Sequence, residues 1–155
     1  DYKRVDSLDD INAQSKEWLS LGLIKKEDLE SVKLEDIFKF IKSEIGIKTR
    51  QAAFEGRLKR EQEFMIGLEE DGRTDKLIVQ GTIDMYIEEE DGLILLDYKT
   101  DFVPKDKDES MLIERYRIQL DYYAKALEQV LGLPVKEKII YSFSLGLDIN
   151  LWCEV

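Results

Sequence analysis

Two aspartates and a lysine in the middle of the sequence are the residues best suited to chemistry. Asp84 lies inside the apolar-rich stretch TIDMYI, and Asp97 and Lys99 come directly after a run of four aliphatic residues. Burying an unpaired charge costs free energy, so charged residues in such places usually have a metal ion, a partner or a catalytic task. Two neighbouring carboxylates can bind one hard divalent cation, and a lysine beside them can stabilise negative charge on a substrate.

The two acidic positions are predicted to lie on a β-hairpin that spans residues 81–101. Asp91 and Gly92 separate its two apolar runs. Asp-Gly favours a two-residue type I′ turn, in which both residues have a positive φ. Such a turn would place Glu90 opposite Leu93.

Counting back along this hairpin places Asp84 opposite Lys99 and diagonal to Asp97. Side chains alternate between the two faces of a strand, so all three are predicted to share one face, with Tyr98 on the other face as a core residue. Diagonal neighbours are about 7–8 Å apart at their backbones, which is close enough for both carboxylates to reach one ion. A β-bulge would change this register.

The elements that must position these residues follow from periodicity and stop signals. We predict helices over residues 7–21, 26–31, 34–45 (ended by Gly46), 47–56 and 109–131. We predict strands over residues 58–70, 76–88, 93–99, 135–146 and 148–155, with a turn at 71–75. This order predicts one α/β domain over residues 1–155, with a helical lead-in (1–56) and a mixed sheet flanked by helices (57–155).

Composition excludes several classes of site. The chain has 155 residues, no histidine and a net charge of −11. The single cysteine, Cys153, excludes an internal disulfide framework and a local cysteine-rich metal cluster. No apolar run approaches the roughly 20 residues that span a membrane, and we expect a cytoplasmic protein with no membrane partner. The acidic charge argues against binding of nucleic acid by surface charge alone.

Three short motifs resemble one nuclease family. They are Gly81-x-x-Asp84, Asp97-Tyr98-Lys99 and Gln119-x-x-x-Tyr123. In this order they are similar to the RecB-type branch of the PD-(D/E)XK nucleases, whose fold is restriction-endonuclease-like. The stretches REQEFMIGL, DYKTD and YRIQLDYYAKALE, with the lead-in over residues 5–46, most resemble the C-terminal nuclease domain of the AddA- or RexA-type component of the bacterial ATP-dependent helicase–nuclease.

This resemblance implies roles for individual residues. Asp84 and Asp97 would be ligands of Mg²⁺ or Mn²⁺, with the backbone carbonyl of Tyr98 as a further ligand. Lys99 would orient the attacking water or stabilise the transition state. The resemblance further implies a DNA exonuclease that acts on single strands from unwound duplex during double-strand break repair and recombination. Its partners would be DNA, a helicase region of the same parent chain and the second, B-type component of the helicase–nuclease heterodimer.

Other residues have a less specific place in this interpretation. Gln119 and Tyr123, four residues apart on one helix face, would contact the DNA strand or support the site. Glu61 or Glu63, on a neighbouring strand, would reach the metal. The alternatives are an exposed strand-end ion pair for Asp97, a turn cap for Asp84 and solvated surface positions for the others.

One departure from the family is the missing histidine. Members usually carry a histidine on an upstream helix that completes the metal site, and this sequence has none. We expect that the sequence begins after that helix of a longer parent chain, and that the piece alone holds metal weakly. No GxxxxGK[ST] phosphate loop is present, so the helicase motor is not in this sequence. The alternative function is a non-catalytic acidic module that docks a partner protein of the complex.

Overall fold

A computed structural model of the chain describes residues 1–69 and 76–151. The turn predicted at 71–75 and the end of the last predicted strand, 152–155, lie outside these residues. The chain divides into two compact units, Asp1–Gly56 and Arg57–Val155.

The first unit is helical. A 3₁₀ helix (Tyr2–Arg4) precedes α1 (Leu8–Ser20), α2 (Lys26–Ser31), α3 (Leu34–Lys42) and α4 (Glu44–Glu55). Ser7 and Asp10 form a reciprocal capping box at the start of α1, which satisfies backbone donors that the first helical turn cannot pair. The hydrogen bonds from Ser7, followed by those from the backbone, hold the pKa of Asp10 below the ordinary aspartate range.

The prediction of one helix over 34–45 is wrong, because the chain turns at Ser43. Ser43 is extended (ψ 165°), and its hydroxyl accepts a hydrogen bond of 3.2 Å from the amide of Gly46. It therefore caps α4, and Gly46 lies inside that helix instead of ending α3. A β-carbon at Gly46 would lie 1.8 Å from the carbonyl oxygen of Phe40, so the glycine allows the close approach of the two helices.

The second unit is a five-stranded mixed sheet in the order β1-β2-β3-β4-β5. Its elements are β1 (Leu58–Glu69), β2 (Lys76–Glu89), β3 (Gly92–Lys99), α5 (Ser110–Leu131), β4 (Val135–Ser142) and β5 (Leu147–Asn150). β3 and β4 are parallel, and the other neighbouring pairs are antiparallel. The predicted restriction-endonuclease-like α/β fold is confirmed.

Helix α5 is the crossover between the two parallel strands. A parallel pair needs such a connection, and it lays the helix on a face of the sheet. Leu112, Leu120 and Leu127 of α5 pack with strand residues such as Leu95 and Ile140 in one buried cluster. Because β3 is the central strand and is buried from Gly92 to Asp97, any charge at its end has little contact with water.

The hairpin register differs from the prediction by two residues. Glu89 pairs with Gly92, so the loop is Glu90-Asp91, and neither loop residue has a positive φ. Gly92 is needed for a different reason. Its φ is +150°, and a β-carbon there would lie 2.6 Å from the carbonyl oxygen of Pro134, next to which β4 begins. The glycine therefore serves the approach of β4 and not the turn.

None of the helices in the two described ranges is both long and apolar enough to cross a membrane.

Candidate active site

The ladder between β2 and β3 stops one residue before the two aspartates. Its last pair is Met85 with Leu96, and the same count then places Asp84 beside Asp97 instead of opposite Lys99, which corrects the predicted register. Beyond this point the Asp84 carboxylate accepts a hydrogen bond of 2.9 Å from the backbone amide of Tyr98. The side chain of Asp84 thus takes the place of a strand partner where β2 and β3 separate.

The regular alternation of β2 is also interrupted at Asp84. Ile83 and Tyr86 both lie in the cluster beneath α5, although residues three apart in a regular strand point to opposite faces. The register with β1 places Glu61 opposite Asp84, and Glu61 has φ +51°, which is uncommon for a residue other than glycine. The backbone irregularity is therefore confined to the level of the site, where such strain is often found.

Asp97 is the most deeply buried acid of the site. It is 2% exposed, and its Oδ2 lies 2.6 Å from the ammonium nitrogen of Lys99. Apart from this ion pair, Oδ2 has no hydrogen-bond partner among the described residues. Burial raises the pKa of Asp97, the ion pair with Lys99 opposes this, and the nearby charge of Asp84 adds to the rise.

Lys99 is held by three groups. Its ammonium contacts Asp97, donates a 3.2 Å hydrogen bond to Gln119 Oε1 and lies 4.1 Å from the centre of the Tyr116 ring. The side chain is 13% exposed, so these contacts replace most of its hydration. The alternative of an exposed strand-end ion pair does not describe this geometry.

Tyr98, between the two, makes different contacts. Its hydroxyl donates to the sulfur of Met85 at 3.4 Å, and its ring lies 5.8 Å from that of Phe143. Its side chain is half-buried, so it packs with the sheet, and the metal-binding role of its carbonyl stays a prediction.

Gln119 and Tyr123 join the third motif to the other two. Gln119 accepts from Lys99 and donates a 2.7 Å hydrogen bond to the hydroxyl of Tyr123. The Tyr123 ring meets Phe64 edge-on at 5.4 Å, and a β-carbon at Gly81 would lie 3.1 Å from Phe64 and 3.5 Å from Tyr123. Gly81 thus leaves room for the aromatic pair that supports the helix over the site, and all three sequence motifs meet.

Glu61 and Glu63 are exposed on β1. Glu63 lines an open depression of about 530 Å³ together with Gly81 and Thr82 of β2. Within residues 1–69 and 76–151, no group of three or more acidic, histidine or cysteine side chains is gathered to hold a metal ion. Metal binding by Glu61 or Glu63 therefore stays a prediction.

The sequence predictions missed three residues next to Lys99. Asp101 accepts hydrogen bonds from Tyr116 at 2.8 Å and from Arg115 at 2.7 Å. The bond from Tyr116, followed by the pairing with Arg115, lowers the pKa of Asp101. Burial, together with the bond to Asp101, raises the pKa of Tyr116. The missed signal was helical spacing, since Tyr116 lies three residues before Gln119 and seven before Tyr123, on the same face of α5.

The donor atoms fit a hard divalent cation. Asp84 and Asp97 offer carboxylate oxygens, and Asp97 Oδ2 is a buried acceptor whose only described partner is Lys99. Mg²⁺ and Mn²⁺ prefer such oxygen ligands, whereas zinc sites usually use histidine or cysteine. The sequence has no histidine and one cysteine.

The comparison with protein families agrees with this geometry. The PD-(D/E)XK nuclease superfamily matches residues 8–148, which include the three motifs and most of both compact units. The chain belongs to this superfamily. The match covers most of the chain, so the resemblance seen in three short motifs extends to the elements that carry them.

Its relatives are large bacterial proteins, each named as the A-type component of an ATP-dependent helicase/nuclease. The protein from Clostridium novyi (strain NT) is 38% identical over 149 residues, which cover 92% of this chain. Those from Lachnoclostridium phytofermentans and Clostridium botulinum (strain Langeland) are 37% and 36% identical over 84% and 97% of the chain. The chain spans 12% of the length of each. The predicted resemblance to the AddA-type component is confirmed.

Proposed function

We propose that this domain is a divalent-metal-dependent exonuclease that hydrolyses phosphodiester bonds of single-stranded DNA. One observation carries the proposal: Asp97, buried at the end of the central strand, is ion-paired with Lys99 and has the Asp84 carboxylate beside it. Membership in a nuclease superfamily supports hydrolysis of nucleic acid by this cluster.

Asp84 and Asp97 would hold Mg²⁺ or Mn²⁺. When bound, such an ion polarises the phosphate and lowers the pKa of a coordinated water. Asp97 also keeps the Lys99 ammonium in place, and Gln119 restricts it from the helix side. Lys99 then presents a fixed positive charge to a phosphate oxygen, which costs little reorganisation during the reaction.

The wider role rests on the relatives. Their names join a helicase and a nuclease in one protein, and we extend this to a parent chain whose helicase region delivers an unwound strand. We further propose DNA as substrate, the B-type component of the heterodimer as partner, and double-strand break repair and recombination in the cytoplasm as the process. A polar site between sheet and helix suits a strand that is already unwound, because its backbone can approach without duplex opening.

The deciding experiment compares Asp97→Asn with wild type in the longest natural protein that contains this sequence. End-labelled single-stranded oligonucleotides are incubated with Mg²⁺ or Mn²⁺. We expect a loss on the order of 100-fold or more, the scale of losing a preorganised electrostatic group. The control is Asp91→Asn, an exposed acid of the Glu90-Asp91 loop, which should retain wild-type rates.

Two outcomes would contradict the proposal. If Asp97→Asn degrades DNA as fast as wild type, the site is not catalytic. If wild type is inert with both metals, the alternative of a non-catalytic acidic docking module gains support. Circular single-stranded DNA tests the exonuclease assignment separately, because an exonuclease spares a strand without ends.

A further inference from the structure

Tyr116 is the group around Lys99 that no motif assigns. The Lys99 ammonium lies 4.1 Å from the centre of its ring, within the distance at which a ring face attracts a cation. The attraction is stronger when the cation is poorly hydrated, and the Lys99 side chain is 13% exposed. The ring therefore closes the side of the ammonium that neither Asp97 nor Gln119 occupies.

The ring is itself fixed from its far end. The Tyr116 hydroxyl donates to Asp101 Oδ2 at 2.8 Å, and Arg115 donates to Oδ1 of the same carboxylate at 2.7 Å. Asp101 follows β3 by two residues, whereas Arg115 and Tyr116 belong to α5. These bonds tie the end of the central strand to the helix, so the ring cannot turn away from Lys99 without breaking a hydrogen bond to a carboxylate.

Lysine needs such restraint more than most catalytic groups do. Its ammonium is carried on a flexible four-carbon stem, and its donors rotate freely. Asp97 alone fixes the distance of the ammonium but leaves its direction to Gln119, whose bond is long at 3.2 Å. A ring face on the remaining side limits the ammonium to one direction, toward the place where the two carboxylates lie.

We propose that Tyr116 is a positioning residue for Lys99, and that Asp101 and Arg115 hold its ring in place. The proposal rests on the nuclease function proposed above. It predicts that ring loss slows the chemical step, because an ammonium that moves freely spends less time beside the scissile phosphate. It also predicts that Tyr116 matters only while Lys99 is present.

The kinetic test uses the full natural protein with single-stranded oligonucleotides. Tyr116→Leu should lower kcat about tenfold, as expected for a supporting group, with little change in KM. Tyr116→Phe keeps the ring face and should restore most of the rate. In a Lys99→Ala background, Tyr116→Leu should have no further effect. Tyr122→Leu, at another half-buried tyrosine of α5, is the matched control and should leave kcat unchanged.

A second measurement does not depend on activity. With ¹³C-labelled lysine, the Lys99 side-chain NMR signals of the 155-residue protein should carry an upfield ring-current shift that Tyr116→Leu removes and Tyr116→Phe keeps. Unchanged signals in Tyr116→Leu overturn the proposal, as does an equal loss of kcat with and without Lys99. A wild-type protein that is inert, yet shows the ring-current shift, contradicts the nuclease function instead and leaves the placement of Tyr116 supported.

Discussion

Lys99 and Asp97 form an ion pair of 2.6 Å at the end of the central strand, where their side chains are only 13% and 3% exposed. Removing one partner of such a pair leaves a poorly hydrated charge, so the pair is costly to break even where it adds little net stability. Its position beside Asp84 and beneath α5 fits a charge kept for chemistry. The predictions below separate that chemistry from the stability of the fold.

Replacing Lys99 by arginine should be nearly as harmful as replacing it by alanine. A planar guanidinium cannot take the place of a compact ammonium between Asp97 and the Tyr116 ring. We expect both variants to lose on the order of 100-fold in nuclease kcat. Steady-state kinetics on oligonucleotides check this, with Lys125→Arg, at an exposed position of α5, as the control that should keep its rate. A Lys99→Arg variant with wild-type kcat would show that charge alone is sufficient.

Asp84 should carry both a structural and a chemical task. Asp84→Ala leaves the Tyr98 amide without its acceptor, which should cost about 1–3 kcal/mol of unfolding free energy in urea titrations. Asp84→Asn keeps an oxygen for that amide and should lose much less stability. Both variants should lose nuclease activity. Equal stability losses in the two variants would mean that the bond to Tyr98 is not what Asp84 contributes to the fold.

Metal binding should be visible as thermal stabilisation. A ligand that binds only the folded state adds about 2.7 kcal/mol at a hundred times its Kd. For a chain of this size that corresponds to roughly 2–4 °C in Tm for each kcal/mol. Mn²⁺ should raise the Tm of wild type and of Asp91→Asn but not that of Asp97→Asn. A rise that persists in Asp97→Asn would place the bound ion elsewhere.

Asp101 should contribute stability that depends on pH in a defined direction. The bonds from Tyr116 and Arg115 lower its folded-state pKa below the unfolded value of about 3.9. Its contribution is therefore fully present above that value and is lost as the pH falls through the folded pKa. Wild type should exceed Asp101→Asn by at most about 1 kcal/mol near pH 7, because Asp101 is partly solvated. The difference should shrink below pH 4, and urea titrations at several pH values would show the opposite trend if the pairing were unfavourable.

Gly92→Ala should destabilise the sheet more than an ordinary glycine replacement. The added β-carbon would lie 2.6 Å from the Pro134 carbonyl oxygen, at φ +150°. We expect a loss of about 2–3 kcal/mol in unfolding free energy. Gly132→Ala is the matched control, because Gly132 has φ +70° with nothing within 4 Å of the added carbon, and it should lose about 1 kcal/mol. Equal losses would mean that β4 can move aside.

Gly92 also shows where prediction from sequence fails. Asp-Gly indicated the hairpin correctly, but the glycine is required by a strand that lies more than 40 residues later in the chain, which no local rule contains. Gly46 misled in the same way, since it serves helix–helix approach and not helix termination. The face shared by Asp97 and Lys99 survived the error, because a shift of two residues preserves the alternation of side chains.

The candidate site was predictable where motifs lie close together in sequence. Asp84, Asp97 and Lys99 are on one hairpin, so pairing alone brings them near each other. The contact between Lys99 and Tyr116 depends on how α5 crosses the sheet, which is a tertiary relation. The irregular backbone at Glu61 also has no sequence signal, because it results from the separation of β2 from β3.

The bond between the Tyr98 amide and the Asp84 carboxylate gives the site a built-in reporter. Amides of a central strand exchange with solvent deuterium only through rare opening events when both neighbours pair with them. The Tyr98 amide is bonded instead to an acidic side chain that a ligand can draw away. Its deuterium uptake should therefore follow the occupancy of Asp84 while the amides nearby in β3 stay protected, so one backbone proton registers when the site is filled.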